Sequence, residues 1–75
     1  MPTIYRHGPF KVQVYSDDHF PPHFHIVCAQ FEVLVAISDM SILRGRQYGR
    51  RVTTVIAWAK ENKDFIEREW IRVNE

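Results

Sequence analysis

The first half of the chain alternates apolar and polar residues with a period of two, which predicts β-strands. The clearest case is "FKVQVY", where Phe10, Val12 and Val14 share one face and the residues between them share the other. Gly8 and Pro9 precede this stretch and predict a turn. Further strand candidates, each bounded by turn or loop residues, are "TIYR", "HFHIVCA", "QFEVLVAIS" and a short segment around Ile42 and Leu43.

From about Arg50 the spacing of apolar residues changes to that of a helix. The stripe passes through "ENKD" without a Gly or Pro, so one long helix is compatible with it. A break near Asn62 into two helices, capped by Asn62 or Asp64, fits equally well, and Gly49 is an acceptable cap for the start. The apolar stripe consists of Val52, Val55, Ile56, Ala59, Ile66, Trp70 and Val73.

These elements predict an α+β fold. We expect a small antiparallel sheet of three to five strands, with the C-terminal helical segment packed on one face. The adjacent "HFHIVCA" and "QFEVLVAIS" should pair as a hairpin. Residues 1–75 are expected to form a single domain. The predicted core consists of Phe10, Val12, Val14, Phe24, Ile26 and the helical stripe.

Composition narrows the class of protein but not its function. With 75 residues the core is small, so a homodimer or a partner protein is a natural supplement to stability. The net charge of +1 is uninformative about nucleic acid. The single cysteine fits a reducing compartment, and the sequence offers neither a signal peptide nor a membrane span. We therefore expect a cytoplasmic protein.

The stretch "DDHFPPHFHI" holds the strongest candidate chemistry. His23 and His25 are two residues apart in a predicted strand, so their side chains leave the same face roughly 7 Å apart at Cα. That spacing allows both imidazoles to reach one metal ion. His19 precedes the proline pair and can supply a third ligand, while Asp17 or Asp18 can bind the ion or orient an imidazole.

The same histidines suit two other roles. His23 and His25, supported by His19 and Asp17, can act as a general acid and base without a metal, for example in RNA cleavage through the 2′-hydroxyl. They can also be structural side chains on a sheet face. The sequence leaves catalysis, binding of a divalent metal such as zinc, and a structural role open.

A second cluster, "RGRQYGRR", is rich in arginine and leads into the predicted helix. Arg44, Arg46, Arg50 and Arg51 can hold phosphate, and Tyr48 can stack on a base. Free N–H groups at the helix start favour an anion there as well. Carboxylates of a partner protein would fit equally, and a solvated basic loop is the third interpretation.

Taken together, these features resemble domain-of-unknown-function family 4160, a family of small bacterial proteins. The resemblance covers nearly the whole chain, from "MPTIYR" through the histidine segment to "IEREW". Gly49 stands where such families commonly have a serine before the arginine pair. The family pattern is carried by Asp17, His19, Pro21, Pro22, His23, His25, Arg50, Arg51 and Trp70.

The resemblance implies a cytoplasmic single-domain protein with a suspected toxin–antitoxin-type role. A small partner protein encoded alongside would be part of such a system. Our leading hypothesis is therefore a domain that binds or acts on RNA or DNA, and if it is an enzyme, a histidine-dependent ribonuclease. The alternatives are a non-catalytic protein-binding module with structural histidines and a small metal-binding protein.

Overall fold

The computed structural model describes residues 3–15, 21–45 and 49–74. Within them, five strands form one antiparallel sheet in chain order, and two helices follow. The predicted α+β class is confirmed, with the sheet at the upper end of the expected size. Neither described helix is long and apolar enough to cross a membrane. The elements are β1 (Thr3–His7), β2 (Phe10–Gln13), β3 (His23–Val27), β4 (Glu32–Ala36), β5 (Ile42–Arg44), α1 (Gly49–Glu61) and α2 (Lys63–Asn74).

Short connections explain three of the four strand pairings. Gly8, with a positive φ of 58°, turns the chain between β1 and β2. The predicted hairpin of β3 and β4 is closed by a hydrogen bond from the Cys28 amide to the Phe31 carbonyl, 3.1 Å long. A bond of 2.8 Å from the Ala36 amide to the Ser41 carbonyl closes the next hairpin. These tight turns fix the pairing of β1 with β2, of β3 with β4 and of β4 with β5.

The helices cover one face of the sheet and enclose the core. Each predicted strand residue of the core is buried, as are most members of the helical stripe, while Ile56 and Val73 are partly buried. β4 and the turn after it add further apolar side chains, because β4 is a central strand of the sheet. The core is formed by Phe10, Val12, Val14, Phe24, Ile26, Val33, Val35, Ile37, Met40, Val52, Val55, Ala59, Ile66 and Trp70.

The helical segment is divided at Asn62, so the two-helix alternative is confirmed. The Asn62 side chain donates to the Trp58 carbonyl at 2.9 Å, and its amide also bonds to Trp58 and Ala59. Asn62 therefore closes the end of α1, whereas the sequence suggested it as a cap for α2. The Ile66 amide bonds back to the Asn62 carbonyl, which lets α2 begin without a separate loop.

Polar contacts fix α2 at both ends. Lys63 Nζ donates to the Ser38 carbonyl at 3.1 Å, and Asn74 Nδ2 donates to the Tyr15 carbonyl at 2.9 Å. On α1, Trp58 stacks on Tyr5 with ring centroids 3.8 Å apart. This contact places Trp58 at the edge of the core, where it is partly buried.

We expect Asp39, in the loop before β5, to make the protein slightly less stable in acid. Hydrogen bonds from the side chain and the backbone of Ser41 lower the pKa of the Asp39 carboxyl from its ordinary value, and Lys63 adds to the shift. The ionised carboxylate thus stabilises the folded state above that ordinary value, and the contribution is lost as pH falls through the lowered pKa. Asp39→Asn retains the acceptor oxygen but does not titrate.

We therefore expect the difference in unfolding free energy between wild type and Asp39→Asn to shrink as pH falls below the ordinary carboxyl range. Urea unfolding at a series of acidic pH values measures it. A difference that stays constant with pH would contradict the assignment to Asp39.

Candidate functional site

The candidate site lies on the sheet face opposite the helices, which we call the polar face. Strand alternation sends the residues between the core positions to this face. Despite the absence of a described helix over them, the two histidines of β3 are almost fully buried, with exposures of 3% and 7%. The polar face carries Thr3, Arg6, Lys11, Gln13, His23, His25, Val27, Glu32, Leu34, Ala36 and Arg44.

Cross-strand pairing places these residues in rows. His25 lies opposite Gln13 on one side and Leu34 on the other, and Leu34 lies opposite Arg44. Arg44 is thus two strands from His25 in the same row, roughly 10 Å away at Cα. The neighbouring row runs from Arg6 through Lys11 and Val27 to Glu32. The histidines therefore lie between cationic side chains at the two edges of the face.

His25 is held by a carboxylate and an aromatic ring. Its Nδ1 lies 2.7 Å from Glu32 Oε2. Because an ionised carboxylate can only accept, the proton is on Nδ1, and in the neutral ring Nε2 carries the lone pair. Tyr15 packs edge-on at a centroid distance of 4.2 Å, and its hydroxyl donates to Gln13 at 2.7 Å. Glu32 and Tyr15 together fix both the orientation and the tautomer of the ring.

His23 has the same tautomer for a different reason. Its Nδ1 lies 2.8 Å from the Pro21 carbonyl oxygen, which only accepts, so this nitrogen donates. The proline pair thus contributes more than a stiff turn: the Pro21 carbonyl is the acceptor that orients the imidazole. Nε2 of His23 carries the lone pair in the neutral ring, as it does in His25.

The two rings lie side by side and have the same tautomer. Their centroids are 5.0 Å apart and their planes are inclined by 54°. Neighbouring histidines are residues of a type that can transfer protons or bind a metal ion. The spacing of His23 and His25 in the sequence correctly predicted that they would meet on one face.

Several predicted site residues lie outside the described part of the chain. Asp17 and His19 do so, as do Arg46 and Tyr48 of the arginine cluster. Their roles stay predictions. Within residues 3–15, 21–45 and 49–74 no group of three or more His, Cys, Asp or Glu side chains is placed to hold a metal ion. Of the predicted metal ligands His19, His23 and His25, the structure describes only His23 and His25.

The arginine cluster is divided between two layers. Arg44 ends β5 and belongs to the polar face, whereas Arg50 and Arg51 lie in the first turn of α1, in the helical layer. All three are exposed. The first turn of α1 contains no acidic residue to offset the two arginines. The structure thus brings Arg44 into the row of His25 and leaves Arg50 and Arg51 on a separate layer.

Sequence reasoning missed three residues of the polar face. Glu32 is displaced by two positions from Leu34, the residue opposite His25, and so lies diagonally across from the imidazole. Arg6 and Lys11 face each other across β1 and β2. The alternating pattern already placed Lys11 on the face opposite the core. The predicted hairpin of β3 and β4 already implied that Glu32 lies near the histidines. The missing information was the register.

A family model described as Domain of unknown function (DUF4160) matches residues 10–71. The chain belongs to this family. The DUF4160 match includes both histidines of β3, Glu32, Lys11 and Arg44, so nearly all of the polar face lies inside it. Its description assigns no activity. Searches among curated proteins and among solved structures gave no match.

Proposed function

We propose that this protein binds the phosphate backbone of nucleic acid on its polar face. The observation that carries the proposal is the exposure of Arg6, Lys11 and Arg44 on this face. Among its described residues the acidic side chain is Glu32, and this carboxylate is engaged by His25. The face is therefore locally cationic, although the whole chain has a net charge of only +1.

The arrangement suits a phosphate chain rather than a single ion. Arg6 and Lys11 are neighbours across two strands, roughly 5 Å apart at Cα, and Arg44 lies at the opposite edge. Long side chains from both edges can contact successive phosphates, with the histidine pair between them. Arginine adds bidentate hydrogen bonds to phosphate oxygens. RNA and DNA both offer this backbone, so both are tested.

Removing two of these cations should weaken binding and its salt dependence. We expect Lys11→Ala with Arg44→Ala to lower affinity for a single-stranded oligonucleotide by roughly 10- to 100-fold. The slope of log affinity against log salt should fall by about 1.4, because each lost contact to a single strand removes about 0.7. Fluorescence anisotropy with labelled RNA and DNA, between low and moderate salt, measures both quantities.

The matched control is Arg50→Ala with Arg51→Ala, which removes the same charge from the helical layer. It should leave the affinity and the salt slope close to those of wild type. If the control loses binding while the Lys11 and Arg44 variant keeps it, the interface is the start of α1 and the polar-face proposal is wrong. If wild type binds neither RNA nor DNA, the non-catalytic protein-binding module becomes the better hypothesis.

A second candidate function, RNA cleavage, is favoured by the contact of 2.7 Å between His25 and Glu32. A carboxylate on Nδ1 holds the imidazole in the tautomer that leaves the lone pair on Nε2, as a general base requires. In this mechanism His25 takes the proton of the ribose 2′-hydroxyl, whose oxygen attacks phosphorus. His23 donates a proton to the departing 5′-oxygen, which leaves a cyclic phosphate. Such an activity would suit the toxin–antitoxin-type role implied by the resemblance.

Cleavage by this route should be lost in His23→Ala and in His25→Ala and reduced in Glu32→Gln. Gel analysis of a labelled RNA, beside the same sequence in DNA, measures it, because DNA lacks the attacking hydroxyl. Far-UV circular dichroism checks that each variant is folded. RNA cleavage that survives both histidine substitutions in folded protein would rule the mechanism out.

A further inference from the structure

We propose that the groove between β5 and α1 binds an extended segment of a partner protein, with alternating apolar residues and an acidic residue near each end. The segment lies beside β5 and continues the sheet by one strand. This interaction is separate from nucleic-acid binding. It uses the helical side of β5 and one face of α1, whereas phosphate is assigned to the polar face.

The groove is apolar at its base and open along α1. Met40 and Ile42 line it from the sheet and Ile56 from the helix, and all three belong to the core or pack against it. Thr53 and Ala57, which are exposed, complete the helical side. The volume of about 260 Å³ is below the range of roughly 300–1,000 Å³ for small-molecule sites. The size therefore favours a few apolar side chains of a peptide.

β5 is an edge strand, so its outer backbone groups face away from the sheet. Among the described strands it pairs with β4 and with no other. A strand added beside it would direct alternate side chains to the helical layer, where Ile56 and Ala57 line the groove. Because β5 has only three residues, backbone pairing is short. The side chains in the groove must then contribute much of the affinity.

The charges along α1 select an acidic segment. Arg50, Thr53, Ala57 and Lys60 recur at helical spacing and so lie along one face of the helix. The two cations are thus at opposite ends of the apolar part, about 15 Å apart along the helix axis. An extended chain covers this distance in about five residues, and about seven place an acidic side chain near each cation.

A second copy of this chain would fit the groove poorly. From residue 40 to residue 60 the sequence contains four arginines, one lysine and no aspartate or glutamate. Pairing of β5 with β5 of another copy would bring two such runs together, and like charges across an interface oppose association. The same charges attract a partner segment that carries carboxylates.

Selection from a displayed library of random peptides on the 75-residue chain tests the chemistry of the partner. We expect enriched sequences with alternating apolar residues and an acidic residue near each end, over about seven residues. A synthetic, labelled peptide of the enriched sequence is then titrated by fluorescence anisotropy. Enrichment of basic sequences, or of no sequence above background, would overturn the proposal.

Ala57→Glu should weaken binding of this peptide by about 10-fold or more, because it fills the groove and opposes the acidic segment with a carboxylate. Ala57 is exposed, so the fold should tolerate the change. Ile71→Glu is the matched control. It also replaces an exposed apolar helix residue with glutamate, but Ile71 lies on α2 and does not line the groove. It should bind the peptide like wild type.

Circular dichroism shows that both variants are folded before their affinities are compared. Equal peptide affinity in folded Ala57→Glu and Ile71→Glu would contradict the proposal. The two variants carry the same charge, so they should bind the oligonucleotide alike. Loss of peptide binding and loss of nucleic-acid binding can therefore be told apart.

Nitrogen-15 NMR of the unmutated protein locates the peptide directly. Its addition should shift the amide resonances of β5 and of α1 from Thr53 to Lys60 and leave those of β1 in place. Shifts confined to β1 and β2 would assign the peptide to another surface and overturn the proposal. Light scattering tests the second copy: a dimer that Ala57→Glu abolishes would also overturn it.

Discussion

Phe24→Ala should destabilise the protein by about 3–5 kcal/mol, the usual cost of emptying a buried phenylalanine site. Phe24 is a fully buried residue of β3, and it points into the core from the strand that holds the histidine pair. A chain of 75 residues is expected to have a total stability of roughly 4–11 kcal/mol. The variant should therefore unfold at a much lower urea concentration or be unfolded without denaturant.

Phe65→Ala provides the matched control. Phe65 lies on α2 and is 39% exposed, so the same change of side chain removes far less buried surface. We expect it to cost less than about 1 kcal/mol, within the range of ordinary surface substitutions. Urea unfolding followed by circular dichroism measures both variants. Similar costs at the two positions would mean that Phe24 does not occupy the centre of the core.

Gly45→Ala should destabilise the protein by about 2–3 kcal/mol through two effects. Gly45 has φ 84°, where an L residue with a Cβ costs about 1–2 kcal/mol. A Cβ at this position would also lie 2.9 Å from the backbone oxygen of Glu32. A backbone atom of β4 cannot move aside without shifting the strand, so the second effect adds to the first.

Gly8→Ala separates these effects. Gly8 has a positive φ of 58°, but a Cβ there would meet nothing within 4 Å. It should therefore show only the conformational cost of about 1 kcal/mol. The difference between the two variants in urea unfolding measures the contact with Glu32. Equal costs would show that the approach of Gly45 to β4 has no energetic consequence.

The close approach of Gly45 also links β5 to the candidate site. Glu32 contributes the backbone oxygen beside Gly45 and the carboxylate that holds His25. A shift of β4 should therefore change the hydrogen bond at His25 Nδ1. We expect the Nδ1 proton resonance of His25 to move in Gly45→Ala and to stay in place in Gly8→Ala.

The sequence by itself determined the fold class and most of the core. Alternation in "FKVQVY" and "HFHIV" selects the buried face of β2 and β3, because successive strand side chains point to opposite sides. The stripe from Val52 to Trp70 identifies the helices that cover it. The i and i+2 spacing of His23 and His25 likewise places both on the other face. These features are local, so periodicity is sufficient to predict them.

The break at Asn62 was one of two alternatives that periodicity could not separate. An apolar stripe continues across it, and the choice depends on the side chain of Asn62 bonding to the end of α1. Such a bond is a matter of local side-chain geometry. The alternation pattern contains no information about it.

Only the tertiary structure decided the composition of the site. The register of β3 and β4 brings Glu32 to His25, and strand order brings Arg44 into the same row while Arg50 and Arg51 go to the helical layer. A shift of one residue in register would have sent Glu32 to the opposite face. The strand register and the layer of each residue are set by how distant segments pack. Arg44 therefore lies in a different layer from Arg50 and Arg51, although all three are close in the sequence. For the same reason His25 and Glu32, seven residues apart, are in contact.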